Sequence, residues 1–150
     1  MTIESLKKLE EQVSTWPGIS VHPHRFGGKE FCLGSSEIGH IHRDGALEIP
    51  FSRAMRDALL AEGHAHEHRW APDSGWITFL VQREQDIEHG LWLLRLSYLR
   101  YTLKAVPDPG KRFQEESDRL GLSLRLKALL ERFLPQRKTP APGAGLARSA

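Results

Sequence analysis

The chain has 150 residues and a formal net charge of +2, enough for one domain that buries roughly two-thirds of its unfolded surface without a metal or disulfide staple. Its single cysteine, Cys32, has no partner within the chain. The opening "MTIESLKKLEEQV" lacks the apolar run of a secretory signal and no segment approaches bilayer-spanning length, so a cytoplasmic protein without a membrane span is expected.

Residues 2 to 14 place Ile3, Leu6, Leu9 and Val13 at helical spacing, with Thr2 or Ser5 as cap, and predict a short amphipathic helix ended by Trp16-Pro17-Gly18. "ISVHPHRFGGKEFCL" alternates about Gly27-Gly28, as two strands joined by a hairpin turn do. In "EIGHIHRDGALEIPF", Glu37 to Phe51, a strand to His42 meets the turn Arg43-Asp44-Gly45. A two-residue turn would set His42 against Leu47 and His40 against Ile49, burying both imidazoles among apolar residues. A three-residue loop with Gly45 in the left-handed bulge position sets His42 against Ala46, Ile41 against Leu47 and His40 against Glu48. The second register is favoured because it separates an apolar face of Ile41, Leu47, Ile49 and Phe51 from a polar one of His40, His42, Ala46 and Glu48.

Ser52 is placed to cap a helix through "RAMRDALLAEG", with Gly63 as its stop. In "HAHEHRW" the alternation puts His64, His66, His68 and Trp70 on one side of a strand that "APDSG" connects to the strand "WITFLVQ". Pairing Trp70 with Trp76 would set His68 against Thr78 and His66 against Leu80. From Glu84 a long helix carries Ile87, Leu91, Leu94, Tyr98 and Tyr101 on one stripe. Leu93, Leu96, Leu99 and Leu103 widen its apolar surface, so it is expected to pack on the sheet and on another element, with Arg95 and Arg100 solvated or paired. "VPDPG" breaks it. A last basic amphipathic helix, about Ser123 to Phe133, is expected to dock on the domain or on a second copy of the chain.

Charge is uneven: residues 1 to 103 hold 11 basic and 14 acidic side chains, and residues 104 to 150 hold 10 and 5. The Pro/Gly/Ala-rich stretch from residue 135 has no aromatic interleaving and reads as a flexible, solvated tail after a domain spanning residues 1 to 134, with nucleic-acid binding disfavoured. The fold expected is α+β, an antiparallel sheet of five or six strands packed by one long helix with further N- and C-terminal helices.

"GHIHRDGALEIPF", "LLAEGHAHEH", "PDSGWITFLV" and "LLRLSYLRY" resemble the luciferase-domain family of small bacterial and fungal proteins over about residues 16 to 101. The family pattern has Gly-His-x-His, an acidic residue before Ile-Pro-Phe, and a histidine ahead of Pro-x-Ser-Gly-Trp, positions matched by His40, His42, Glu48 and His68. This chain has Glu48 where members often carry Asp, and His68-Arg69 where they often carry two histidines. The segment from "SGWITFLV" to "LSYLRY" also looks like small α+β proteins of the YjbR type, which implies an antiparallel sheet packed by helices.

Two imidazoles and a carboxylate on one sheet face form a ligand set suited to zinc or non-haem iron, so His40, His42 and Glu48 are the candidate metal ligands. The same three residues suit metal-free acid–base catalysis, with Glu48 orienting an imidazole. His68 joins this cluster, and Trp70 and Trp76 are placed to wall a ligand pocket. Cys32 reads as a buried small residue and Ser74 as turn chemistry, not as nucleophiles. A small-molecule-binding protein or enzyme is therefore expected. The alternative is an interaction module that holds nucleic acid or a protein partner through its basic C-terminal part.

Overall fold

The computed structural model describes residues 3–136, and the expectation of a flexible tail from residue 135 falls almost wholly outside them. Helix α1 (Ile3–Ser14) leads into β1 (Ile19–His24), β2 (Gly28–Leu33), β3 (Ser36–Ile41) and β4 (Ala46–Pro50), followed by α2 (Arg53–Ala61). Strands β5 (His66–Glu67) and β6 (Trp76–Leu80) precede α3 (Asp86–Thr102), α4 (Pro109–Leu120) and α5 (Leu124–Glu131). The six strands form one antiparallel sheet in the order β1-β2-β3-β4-β6-β5, the α+β architecture expected.

The β3–β4 hairpin takes the three-residue loop. His40 lies opposite Glu48 and Ile41 opposite Leu47; the His42 amide donates to Ala46 O at 3.0 Å, and Gly45 has φ +93°. Cross-strand partners share a face, so this register aligns a row across the whole sheet: His22, Glu30, His40, Glu48, Thr78 and His66. The other face holds the helices. A Cβ on Gly39 would meet Leu94 of α3, and one on Gly90 would meet Leu47 and Leu9, which fixes α3 and α1 on the Gly39/Leu47 side. One core runs from Leu9 and Val13 of α1 through Phe31, Leu47, Ile49 and Ile77 of the sheet to Leu126 and Leu130 of α5.

Several expectations need correction. The β1–β2 turn spans Arg25–Gly27 and is centred on Phe26 instead of on the Gly27-Gly28 pair, with Phe26 and Gly27 at φ +55° and +79° and Gly28 already in β2. The strand expected over residues 64 to 70 shrinks to His66–Glu67, with His66 opposite Thr78. Trp70 therefore does not pair with Trp76 and is 79% exposed. The cause is the connection: Pro72 cannot donate to a ladder, and the turn through Ser74 and Gly75 draws the chain off the sheet edge. Helix α4 was not expected, because Phe113 is its one buried apolar side chain. It is held by Pro109 in its first turn, Gly121 at φ +60° at its end, and Glu116, paired with Arg95 and Arg119. Arg100 is buried rather than solvated; it donates to Pro50 O and Tyr101 Oη and packs against the rings of Phe51, Tyr101 and Phe133.

Ser52 caps α2 by accepting from Met55 N, and Ser123 caps α5 by accepting from Leu126 N. The apolar face of α5, Leu126, Leu129 and Leu130, is buried in the chain's own core. No helix of the described residues is long and apolar enough to cross a membrane.

Candidate functional site

On the helix-free face, Glu48 is the centre. It is 1% exposed although it carries a carboxylate. His42 Nε2 is hydrogen-bonded to its Oε1 at 2.6 Å, His40 Nε2 stands 3.7 Å from the same oxygen, and Arg69 Nη2 stands 3.6 Å from it. His68 Nε2 lies against Oε2, yet its approach makes no hydrogen bond of acceptable angle, and Oε2 is among the buried oxygens without a hydrogen-bond partner. Thr78 Oγ1, opposite Glu48 on β6, is another. A buried carboxylate needs donors or cations around it, and here the imidazoles of His40, His42 and His68 and the Arg69 guanidinium stand about its two oxygens.

The structure gathers His40, His42, Glu48, His68 and Trp76 in one place. The Trp76 ring is 5.5 Å from that of His40 and 5.8 Å from that of His68, forming a wall. Trp70 stays outside, stacked under the Arg69 guanidinium.

Three further groups enter that the sequence did not single out. His24, at the end of β1, stacks on His40 with ring centroids 4.0 Å apart and meets His42 edge-on at 5.3 Å. Burial first, and then the facing imidazoles of His40 and His42, hold its pKa below the ordinary histidine value. Ring nitrogens of His24, His40 and His42 lie within 4.8 Å of one another, the spread of ligand atoms around a single ion. Glu37 is hydrogen-bonded to His40 Nδ1 at 2.7 Å, and Glu30 stands 3.4 Å from His24 Nδ1.

In a regular strand, residues 37 and 40 would face opposite ways. Here Phe31 pairs with Gly39 but Cys32 with Glu37, so Ile38 is an extra residue in β3, and the bulge brings Glu37 to the face of His40. The carboxylates fix ring orientation: with the Nδ1 of His40 bound to Glu37, its Nε2 is left to face Glu48. That is the arrangement in which outer carboxylates orient metal-ligating histidines.

The candidate nucleophiles have no such setting. Cys32 is buried on the rim of this face, and burial first, then the Glu30 carboxylate, push its thiol up to about 11. Ser74 Oγ donates to Ala71 O and accepts from Trp76 N, as a turn residue does.

No curated protein and no solved structure matches the chain. Part of the sequence does match a family, and that part holds the β3–β4 hairpin with His40, His42 and Glu48, the β5–β6 segment with His68 and Trp76, and most of α3. Residues 35–97, a narrower span than the 16 to 101 of the resemblance but one that includes Gly-His-x-His and Ser-Gly-Trp, match the Luciferase domain family.

Proposed function

We propose that this chain is a small-molecule-binding protein or enzyme whose working centre is the His40, His42 and Glu48 cluster, and that a divalent metal such as zinc or iron assists there. The observation that carries the reading is the buried Glu48 carboxylate, ringed by the imidazoles of His40, His42 and His68. Four ligand atoms at zinc-bond lengths stand about 3.3 Å apart in a tetrahedron. The Nε2 atoms of His42 and His40 lie 2.6 and 3.7 Å from Glu48 Oε1, on either side of that spacing. His40, His42 and Glu48 would hold the ion, with His68 and His24 in reach, Glu37 and Glu30 orienting two of the rings, and Trp76 limiting water on one side. A bound divalent ion would supply Lewis acidity toward a substrate oxygen or an activated water.

A second reading, metal-free acid–base catalysis, is favoured by the 2.6 Å hydrogen bond between His42 and Glu48: the carboxylate selects the ring tautomer and the other ring nitrogen exchanges a proton with the ligand. The rival of a nucleic-acid or protein-binding module through the basic C-terminal part has no comparable feature among the described residues. A homo-oligomer through α5 would have to use its outer face, where Leu124 is exposed. A cytoplasmic setting accords with the lone cysteine.

The test is elemental analysis of the full chain after reconstitution with zinc(II) or iron(II), beside a His40→Asn/His42→Asn variant checked for native circular dichroism. Near-stoichiometric metal in the parent and its loss in a folded variant are expected. A parent that takes up neither ion removes the metal, and the acid–base reading then stands or falls on ligand binding by the same pair.

A further inference from the structure

Beside the His/Glu cluster, at the turn end of the β1–β2 and β3–β4 hairpins, lies a pocket of about 260 Å³ lined by Phe26, His42, Arg43, Asp44 and Arg69. His42 belongs to both. Three features of this pocket bear on what it could hold. Phe26 sits at φ +55° and ψ +40°, a left-handed conformation costly for a residue with a bulky side chain, and its ring is 91% exposed. The hairpin turn imposes that conformation and leaves the ring as a flat apolar face at the pocket's rim. Arg43 makes no ion pair or hydrogen bond among the described residues, although Asp44 and Glu48 are near in the chain; its stem crosses Gly27, where a Cβ would overlap it. Arg69 stands 3.6 Å from Glu48 and 4.0 Å from Asp44, at the outer edge of ion-pair distance, and is 44% exposed.

We propose that this pocket takes a small monocarboxylate, with its carboxylate between the guanidiniums of Arg43 and Arg69 and its flat apolar body on Phe26, so that the ligand's end reaches His42 and the His/Glu centre. This rests on that centre being the working site. Guanidinium groups match a carboxylate in planar, bidentate fashion. Two arginines against Asp44 leave the pocket lining at one net positive charge, which suits a monoanion, and the nearby Glu48 disfavours a dianion. The volume falls just below the range of about 300–1,000 Å³ for drug-sized ligands, which restricts the pocket to a small one.

The experiment is calorimetric titration of the full chain at pH 7 with benzoate, benzyl alcohol and phenyl phosphate, with metal content measured in the same samples. Benzoate should bind about tenfold or more tighter than benzyl alcohol and no weaker than phenyl phosphate, and its affinity should fall with added salt. Arg43→Gln should weaken benzoate about tenfold while leaving metal content and benzyl alcohol binding unchanged, and Phe26→Ala should weaken all three aromatic ligands. The proposal is overturned by no benzoate binding at millimolar concentration, by benzyl alcohol binding as well as benzoate, by tighter phenyl phosphate, or by an unaffected Arg43→Gln. Metal without benzoate binding ends the pocket and leaves the centre; Arg43-dependent benzoate binding without metal keeps the pocket and removes the metal from the centre.

Discussion

Cys32 shows how a single side chain on the site's face is kept out of its chemistry. With its thiol pushed up to about 11, only about one part in a thousand is thiolate at pH 8. A thiol reagent at pH 8 is therefore expected to leave the native protein almost unmodified and to react fully after denaturation; fast native labelling would contradict this. The linkage has a definite sign. The folded value lies above the unfolded one, so the native state holds the proton longer, and this contribution to stability is lost as pH rises from about 9 through 11. His24 and Glu37 make the opposite point. Each is an ordinary residue in its own segment, one in an edge strand and one beside a bulge, and each becomes part of the cluster through a neighbouring strand.

At the scale of elements, two residues join strands to what packs on them. Gly75 sits where β6 begins beside the end of β4: its carbonyl accepts from Phe51 N at 3.0 Å, and a Cβ there would overlap the Phe51 carbonyl. Gly75→Ala must push the two backbones apart, and a loss of more than about 3 kcal/mol in urea unfolding is expected. Arg100 joins α3 to the end of β4 through Pro50 O, with Phe51, Tyr101 and Phe133 around its guanidinium. Burial pulls its pKa below the usual arginine range, and no carboxylate compensates it among the described residues. Arg100→Met keeps most of the volume but leaves the Pro50 carbonyl without this donor, so a loss of about 1–3 kcal/mol is expected by the same measurement. A gain in stability would mean that the buried charge costs more than its contacts return.

For the whole molecule, the core is continuous from α1 through the sheet to α5. Tryptophan fluorescence and far-ultraviolet circular dichroism should therefore report one coincident unfolding transition; an earlier helical transition would show α4 and α5 melting apart from the sheet. The metal proposal adds a second global observable. A ligand that binds only the native state at a hundred times its dissociation constant stabilises by about 2.7 kcal/mol. In a chain of this length that is a rise in Tm of roughly 5–10 °C. Zinc or iron is expected to produce such a rise in the parent, a chelator to reverse it, and neither to act on the His40→Asn/His42→Asn variant.

Periodicity and turn chemistry in the sequence determined the α+β class, the Ser52 cap of α2 and the β3–β4 register, because a one-residue slip would have driven His40 and His42 into the core and the alternation of Ile41, Leu47 and Ile49 forbids it. His40, His42 and Glu48 were legible for the same reason: their proximity is set within one hairpin. Only the tertiary structure decided the rest. It shortened the expected 64–70 strand to two residues and turned Trp70 outward, since that register depended on a five-residue loop and on an edge with one neighbour. It formed α4 around a Glu116–Arg95 pair between helices 21 residues apart in sequence. It also delivered His24 from β1 and Glu37 through a bulge, because strand order and bulges are settled by how the sheet packs on its helices, which no local run of residues encodes.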